Sequence, residues 1–475
     1  MTILPLNPAD QASPDALRAF LGECRNVARR DGRTKLVSIS LAVDALDPLA
    51  VLESIFEPGE PHFYTERPGI ASAIAGAEAV LRHDARGPGR FASVQQFIDD
   101  TLDHAIAVGD VAAPFGGPHF FTAFAFHDEV EPGEPFPAAR VFVPRWQVAR
   151  AGDTTTAVAN LLVAPDADLD ALTARVWRAH AKFRDFKFRA MAGGDAAGHG
   201  SPPAVLRRHE AGDYRAAVAR GLGRIAAGEF EKIVLARALD VAASAPLHPL
   251  RVLNGLRQRF PDCYAFSLAD GAGHSLIGAS PERLVRVSQG VLETEALAGS
   301  APRGAGASED AALAAGLLAS EKDRREHRLV LDSIVRRLAP LGLRLEFSDK
   351  PAVRRLANVQ HLHTPVRAAL PDHVRLLDAL ARLHPTPAVG GTPRAAAVAR
   401  IRELEGFPRG LYAGALGWMN ARGGGEFFVG IRSALVNGAA ARLYAGAGIV
   451  AGSDPEKEFA ETELKLHAML DALGP

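Results

Sequence analysis

Residues 264–287 read YAFSLADGAGHSLIGASPERLVRV. This segment contains three short apolar runs, at 264–268, 275–278 and 283–287, and glycine or proline lies between each run and the next. Apolar runs of this length, bounded by turn residues, are typical of buried β-strands joined by hairpins. The segment therefore predicts consecutive antiparallel strands.

Outward from this segment, strands and helices occur in runs. We expect further strands at 120–126, 140–143, 233–236, 427–436 and 441–445. We expect helices at 169–188, 214–227, 310–339, 373–383, 394–403 and 455–472. Because the two element types do not alternate strictly, a mixed or antiparallel α+β fold is favoured over a doubly wound parallel sheet.

The composition is that of an ordinary globular protein. Of 475 residues, 48% are apolar and 23% are charged, and 54 Lys plus Arg against 55 Asp plus Glu give a net charge of -1. Nucleic acids and anionic membranes require a basic protein surface. We therefore expect neither a nucleic-acid nor a membrane partner.

Cysteine usage and the first residues of the chain bear on its compartment. Cys24 and Cys263 lie far apart and fit no metal-ligand spacing, which argues against a disulfide framework or a structural zinc site. No secretory signal pattern and no window of about 20 apolar residues is found. We expect a cytoplasmic protein.

Two predicted helices each carry a pair of carboxylates. Asp323 and Glu326 are three residues apart on one helix, and Glu458 and Glu461 are three apart on the other, so each pair shares a helix face. Oxygen ligands of this kind suit a hard divalent cation such as Mg²⁺. Charges at this spacing more often form a solvated face with local ion pairs, so the residues alone leave both interpretations open.

Three charged residues lie in or next to apolar strands. Lys232 shares a strand face with apolar residues, so its ammonium group either extends to solvent or lies in a cavity, where burial favours the neutral amine. Glu282 follows a strand at a Ser-Pro turn and is either an acid of raised pKa or a surface residue. Arg432 interrupts a strand and suits either a bound carboxylate or a structural ion pair.

Glycines near the C-terminus form a G-x-G-x-x-A pattern that includes Gly446 and Gly448. Only 24 residues follow Ala451, too few for the second strand of a dinucleotide site. The glycines can still bring backbone N–H groups close to an anion such as a carboxylate. His384 lies in a proline-rich loop, and its role stays open from the residues alone.

Several segments together resemble the chorismate-utilising enzymes. They are FEKIVLAR (230–237), IGASPE (277–282), LAGSAPRG (297–304), KDRREH (322–327), VQHL (359–362), LHPTP (383–387) and the stretch 429–465. The resemblance implies an α+β fold of large interleaved antiparallel β-sheets in a sandwich, with helices packed outside. An N-terminal region, 1–203, is expected to add strands and helices to a chorismate-binding catalytic region, 204–475, as one structural unit.

Two positions indicate which reaction the resemblance implies. Lys232 stands where ammonia-using members carry glutamine, and Ala298 stands where aminodeoxychorismate synthases carry a nucleophilic lysine. Both favour water as the nucleophile, and the run 383–391 is more similar to isochorismate synthases than to salicylate synthases. We therefore expect Mg²⁺-dependent conversion of chorismate to isochorismate by a monomer or homodimer without an obligatory glutaminase subunit. A salicylate synthase is the nearest alternative, and an ammonia-using anthranilate synthase-type lyase is a more distant one.

The resemblance also assigns roles to residues. Lys232 would activate the water that attacks ring carbon 2, and Glu282 would protonate the hydroxyl that leaves carbon 4. Glu326 and Glu461 would bind Mg²⁺ directly, with Asp323 and Glu458 acting through water. The expected substrate-binding residues are Gly299, Ser300, His384, Ala388, Arg432, Tyr444, Gly446, Gly448 and Lys465.

Overall fold

The computed structural model of the chain describes residues 1–3, 13–55, 59–184, 205–356 and 359–474. The region boundary expected at 203/204 lies outside these described residues. In the described part of the chain, no helix is both long and apolar enough to cross a bilayer. Cys24 and Cys263 are both buried free thiols.

Helices and strands occur in runs, as the sequence predicted. The helices are α1 (Pro14–Asp31), α2 (Pro48–Ile55), α3 (Arg90–Asp103), α4 (Leu169–Arg184), α5 (Tyr214–Ala226), α6 (Pro249–Arg259), α7 (Ala307–Ala319), α8 (Glu321–Leu338), α9 (Leu376–Leu383), α10 (Arg394–Glu405) and α11 (Pro455–Leu473). The strands up to the middle of the chain are β1 (Thr2–Ile3), β2 (Lys35–Val43), β3 (His62–Arg67), β4 (Ser72–Ala85), β5 (Ala105–Gly109), β6 (His119–Phe124), β7 (Ala139–Ala151), β8 (Thr154–Val163), β9 (Val205–Ala211), β10 (Lys232–Ala243) and β11 (Tyr264–Ala269). The later strands are β12 (His274–Ser280), β13 (Arg283–Ser288), β14 (Val291–Pro302), β15 (Glu346–Phe347), β16 (Ala352–Arg355), β17 (Val359–Ala369), β18 (Gly391–Thr392), β19 (Ala415–Asn420), β20 (Gly425–Val429), β21 (Ser433–Asn437) and β22 (Ala440–Val450).

Strand pairing interleaves early and late parts of the chain. The network runs from β9 through β10, β22, β21, β12, β11, β3 and β4 to β7. From β7, one branch continues through β8, β2 and β5 to β1, and the other through β6, β19, β20, β13 and β14 to β17. All these pairs are antiparallel except those of β5 with β1 and β2. The prediction of an α+β fold with large antiparallel sheets is confirmed.

Two predicted elements are divided in the structure. The prediction of a single helix at 310–339 is wrong, because Ser320 ends α7 and begins α8. At the start of α8, the hydroxyl of Ser320 accepts the N–H of Asp323 at 3.2 Å. A serine in this position is a strong helix N-cap, so it separates two runs that are each helical in composition. The strand expected at 427–436 is likewise divided into β20 and β21, with Arg432 between them at φ 49°.

The last strand and the last helix fix the position of several candidate residues. The strand expected to end at 445 extends to Val450, so Gly446 and Gly448 lie inside β22 instead of after it. Helix α11 buries Leu466, Met469 and Leu470 in a core cluster with residues of β10, β12, β21 and β22. Helix α11 therefore packs against the part of the sheet that contains β10 and β22.

Candidate active site

Lys232 is the first residue of β10, and its side chain is buried. The residue is 4% exposed, and Nζ donates to Glu326 Oε1 on α8 at 2.8 Å. Gly448 lies on the neighbouring strand, where an added Cβ would be 2.9 Å from Lys232 Cε. Glycine at this position therefore leaves room for the lysine, which lies in the protein interior and does not extend to solvent.

The charge of Glu326 is stabilised by neighbouring lysines. Burial would raise the pKa of Glu326, but the charge and hydrogen bond of Lys232 outweigh burial and lower it. Lys322 and Lys465 act in the same direction. Because the charge of Lys465 on α11 acts on Glu326 of α8, the two acidic helices lie near one another at this site.

Lys465 connects α11 to β22. Its Nζ donates to Glu461 Oε1 at 2.7 Å and to the carbonyl oxygen of Gly446 at 2.9 Å. Glu458 lies one turn before Glu461 on α11. Burial and the charge of Glu461 raise the pKa of Glu458, and a hydrogen bond from Ser453 opposes this rise. Helix α11 thus places two carboxylates and one ammonium group beside the glycines of β22.

Gly299 and Ser300 approach the start of α8 from β14. Gly299 has φ 74° at a bulge of this strand, and an added Cβ would be 3.0 Å from Asp323 Cβ. Ser300 Oγ lies 2.9 Å from His361 Nδ1 on β17. Burial, together with the charges of Arg432 and Lys465, lowers the pKa of His361 to about 4. The neutral His361 ring therefore stands among the expected substrate-binding groups.

Arg432 presents a cation with no acidic partner among the described residues. Its backbone has a positive φ between β20 and β21. Burial lowers the pKa of Arg432. In the part of the chain that the structure describes, Arg432 takes part in no ion pair, so its guanidinium group is available for an anionic ligand.

Glu282 has the properties of a general acid. Burial raises the pKa of Glu282 to about 7, and Glu295 adds to the rise, while a hydrogen bond from Thr386 and the charge of Lys232 oppose it. Thr386 Oγ1 donates to Glu282 Oε1 at 3.3 Å. Glu282 therefore keeps its proton up to about neutral pH, and it lies close enough to Lys232 for the two groups to interact electrostatically.

Three residues expected to bind substrate have other neighbours. His384 Nε2 bonds the carbonyl oxygen of Ala125 at 3.2 Å, and burial lowers the pKa of this histidine to about 3. Tyr444 stacks on Tyr412 with ring centroids 4.8 Å apart, and its hydroxyl interacts with Arg442. Ala388 is half-buried in the loop that follows His384. The described contacts do not join these three to Lys232 or Glu326.

Sequence reasoning missed other residues of the site. Thr386 lies inside the quoted LHPTP run, but the run does not show that its hydroxyl reaches Glu282. His361 lies inside the quoted VQHL run, but the run does not show that its ring reaches Ser300. Tyr412 places its hydroxyl where a Cβ on Gly446 would lie 2.9 Å away. All three partners are distant in sequence, and no local spacing indicates them.

Residues 20–474 match a family model described as a chorismate binding enzyme. The chain belongs to this family of chorismate-binding enzymes. The match spans both the strands that precede residue 185 and the site built from β10, β22, α8 and α11.

Individual relatives match this chorismate-binding enzyme over nearly its full length. The salicylate biosynthesis isochorismate synthase of Pseudomonas aeruginosa is 37% identical over 459 residues, covering 97% of this chain and 94% of the relative. Isochorismate synthase MenF of Bacillus subtilis is 31% identical over 458 residues, covering 94% and 95% respectively. The solved structure of MenF, the menaquinone-specific isochorismate synthase from Escherichia coli, has a TM-score of 0.77 at 28% identity and covers 96% of this chain and 99% of that one.

Proposed function

We propose that this chorismate-binding enzyme is an isochorismate synthase, an isomerase that converts chorismate to isochorismate. The observation that carries the proposal is the pairing of a buried amine, Lys232, with a carboxyl group, Glu282, whose pKa is raised to about 7. A general base must be able to accept a proton and a general acid must hold one. Two such groups in one site suit a reaction that removes one proton and supplies another. Near-full-length relatives named isochorismate synthase support the same activity.

In the proposed reaction, Lys232 acts as the base and takes a proton from a water molecule that attacks ring carbon 2. The ring double bonds shift, and the hydroxyl group on carbon 4 leaves as water with the proton of Glu282. One water is consumed and one is released, so the product is an isomer of the substrate. Solvent exchange then returns Lys232 and Glu282 to their starting protonation states.

Cations and backbone N–H groups near Lys232 would bind the two carboxylates of chorismate. Arg432 has no acidic partner among the described residues, and Lys465 lies against β22 at Gly446. Gly446 and Gly448 carry no side chains that would block the strand surface beside Lys232. We assign substrate binding to these four residues together with Gly299 and Ser300, and keep His384, Ala388 and Tyr444 as untested candidates.

A hard divalent cation fits the donor set of α8 and α11, and we propose Mg²⁺. The donors are all carboxylate oxygens, and Glu461 raises the pKa of Glu458, so a cation between them would relieve repulsion. Glu326 and Glu461 would bind it directly, and Asp323 and Glu458 through water. In the described ranges, no three acidic, histidine or cysteine side chains form a metal-binding group, and Glu326 and Glu461 each bind a lysine. When bound, Mg²⁺ neutralises a substrate carboxylate.

The proposal is tested by incubating the purified chain with chorismate and Mg²⁺, with and without ammonium, and separating the products by chromatography. We expect isochorismate alone in both reactions, without a glutaminase subunit. Salicylate with pyruvate would indicate the salicylate synthase alternative. An aminated product in the presence of ammonium would contradict the role of Lys232 as a base for water.

A further inference from the structure

A buried ion pair lies beside the strand of Lys232. Glu405 is the last residue of α10, Arg409 follows it, and their side chains are 0% and 1% exposed. Arg409 Nη2 donates to Glu405 Oε1 at 2.5 Å, and Nε donates to Oε2 at 3.0 Å. Because burial of two charges is costly unless their hydrogen-bonding atoms are used, the partners of the remaining atoms show what the pair does.

The pair fills a gap along one edge of β10. This edge pairs with β18 at its start and with β9 in its second half, and in the described ranges no strand covers the interval between them. There, Arg409 Nη2 donates to the carbonyl oxygen of Val234 at 2.8 Å, and the N–H of Ala236 donates to Glu405 Oε1 at 2.6 Å. Buried backbone groups need partners, and here the ion pair supplies them in place of a strand.

The same guanidinium group also holds the loop of Thr386. Arg409 Nη1 donates to the carbonyl oxygen of Val389 at 2.9 Å. Arg337 and Arg394 donate to other carbonyl oxygens of this loop. Of the three arginines, Arg409 is the one that binds both the loop and β10, so its rigid plane adds a side-chain link to the backbone bond from the N–H of Val234 to the carbonyl oxygen of Gly390.

We propose that Arg409 and Glu405 are positioning residues that set the distance between Lys232 and Thr386, the residue that binds Glu282. This role rests on the proposed function, in which Lys232 and Glu282 are the base and the acid. Neither Arg409 nor Glu405 touches the substrate. Their removal should therefore affect the chemical step more than substrate binding, because the cations that bind the carboxylates do not depend on the pair.

Two variants separate positioning from stability. Arg409→Lys keeps the charge, but one ammonium group cannot reproduce the planar fork that reaches Glu405, Val234 and Val389. The double variant Glu405→Leu/Arg409→Met replaces the pair by apolar side chains of similar size, an exchange that often leaves stability unchanged. A matched control is Asp84→Leu/Arg140→Met, which removes a two-bond ion pair between β4 and β7, away from the site.

For each protein, kcat and the KM for chorismate are measured against pH, and the folded fraction is followed by circular dichroism. We expect both Arg409 variants to lose about tenfold or more in kcat with nearly unchanged KM, since small misplacements of reacting groups are costly. The alkaline limb of the pH profile should also move to higher pH, because the Thr386 hydrogen bond, which lowers the pKa of Glu282, is weakened. The control should keep the wild-type kcat and profile.

Each outcome has one interpretation. A wild-type chain that makes no isochorismate refutes the proposed function itself. An active wild type with folded Arg409 variants of unchanged kcat refutes the positioning role. A rise in KM alone, or a loss of kcat that only follows the loss of folded protein, refutes it as well. If the double variant does not fold, Arg409→Lys decides by the same criteria.

Discussion

Replacing Thr386 with valine should move the alkaline limb of the kcat/KM profile to higher pH. Glu282 must be protonated to act as an acid, so activity falls as the pH rises through its pKa of about 7. The Thr386 hydroxyl donates to the carboxylate at 3.3 Å and stabilises the charged form. Valine keeps the shape of threonine but removes this donor, so the pKa of Glu282 and the limb should both rise.

The size of the shift follows from the length of the bond. A hydrogen bond contributes about 0.5–1.5 kcal/mol, and 3.3 Å is long for two oxygens, so the lower end applies. At 1.36 kcal/mol per pKa unit, about 0.5 kcal/mol corresponds to a shift of about 0.4 pH unit. Initial rates of isochorismate formation at closely spaced pH values would resolve this shift. Thr386→Ser, which keeps the hydroxyl, is the control, and a valine variant whose limb stays in place or moves to lower pH would refute the assignment.

Three further predictions concern the proposed base and acid, the space around Lys232, and Arg432. Lys232→Ala and Glu282→Gln should each lower kcat by about 100-fold or more, because each removes a general base or acid. Calorimetry should still detect Mg²⁺ binding in both variants. Wild-type turnover in either variant would exclude the proposed role of the residue that it replaces. Gly448→Ala should lower kcat because its Cβ would lie 2.9 Å from Lys232 Cε, whereas Gly255→Ala, with nothing within 4 Å, should not; equal rates for both variants would contradict this account of the site. Arg432→Met should raise the KM for chorismate, in steady-state assays, more than it lowers kcat, and an unchanged KM would remove Arg432 from the substrate site.

Local sequence patterns predicted most of the secondary structure but not its exact divisions. The three runs at 264–287 became β11, β12 and β13 because hairpin signals are local. The break at Ser320 was missed because both flanking runs are helical in composition. The strand was expected to end at 445, before Gly446 and Gly448, whereas both glycines lie inside it and their missing side chains make room for Lys232 and Tyr412.

The residues of the candidate site likewise fall into those that local motifs indicate and those that only tertiary packing brings together. Lys232, Glu282 and the acidic pairs could be named as candidates because they stand in motifs, and the structure places Lys232 against Glu326 and Lys465 against Glu461. The Arg409–Glu405 pair joins segments that are more than 150 residues apart in sequence, since Arg409 contacts Val234. Such partners follow from tertiary packing and have no sequence period.

The order of strand pairing has a consequence for how the molecule reaches its native state. Strand β3 lies between β4 and β11, and β6 lies between β7 and β19, so contacts of very large sequence separation are needed before either sheet edge is covered. High contact order of this kind slows folding. During synthesis, β3 and β6 leave the ribosome long before their partners β11 and β19, so each keeps one unpaired edge until those later strands are made. For the same reason, residues 204–475 produced alone would expose the edges of β11 and β19 and would be expected to aggregate.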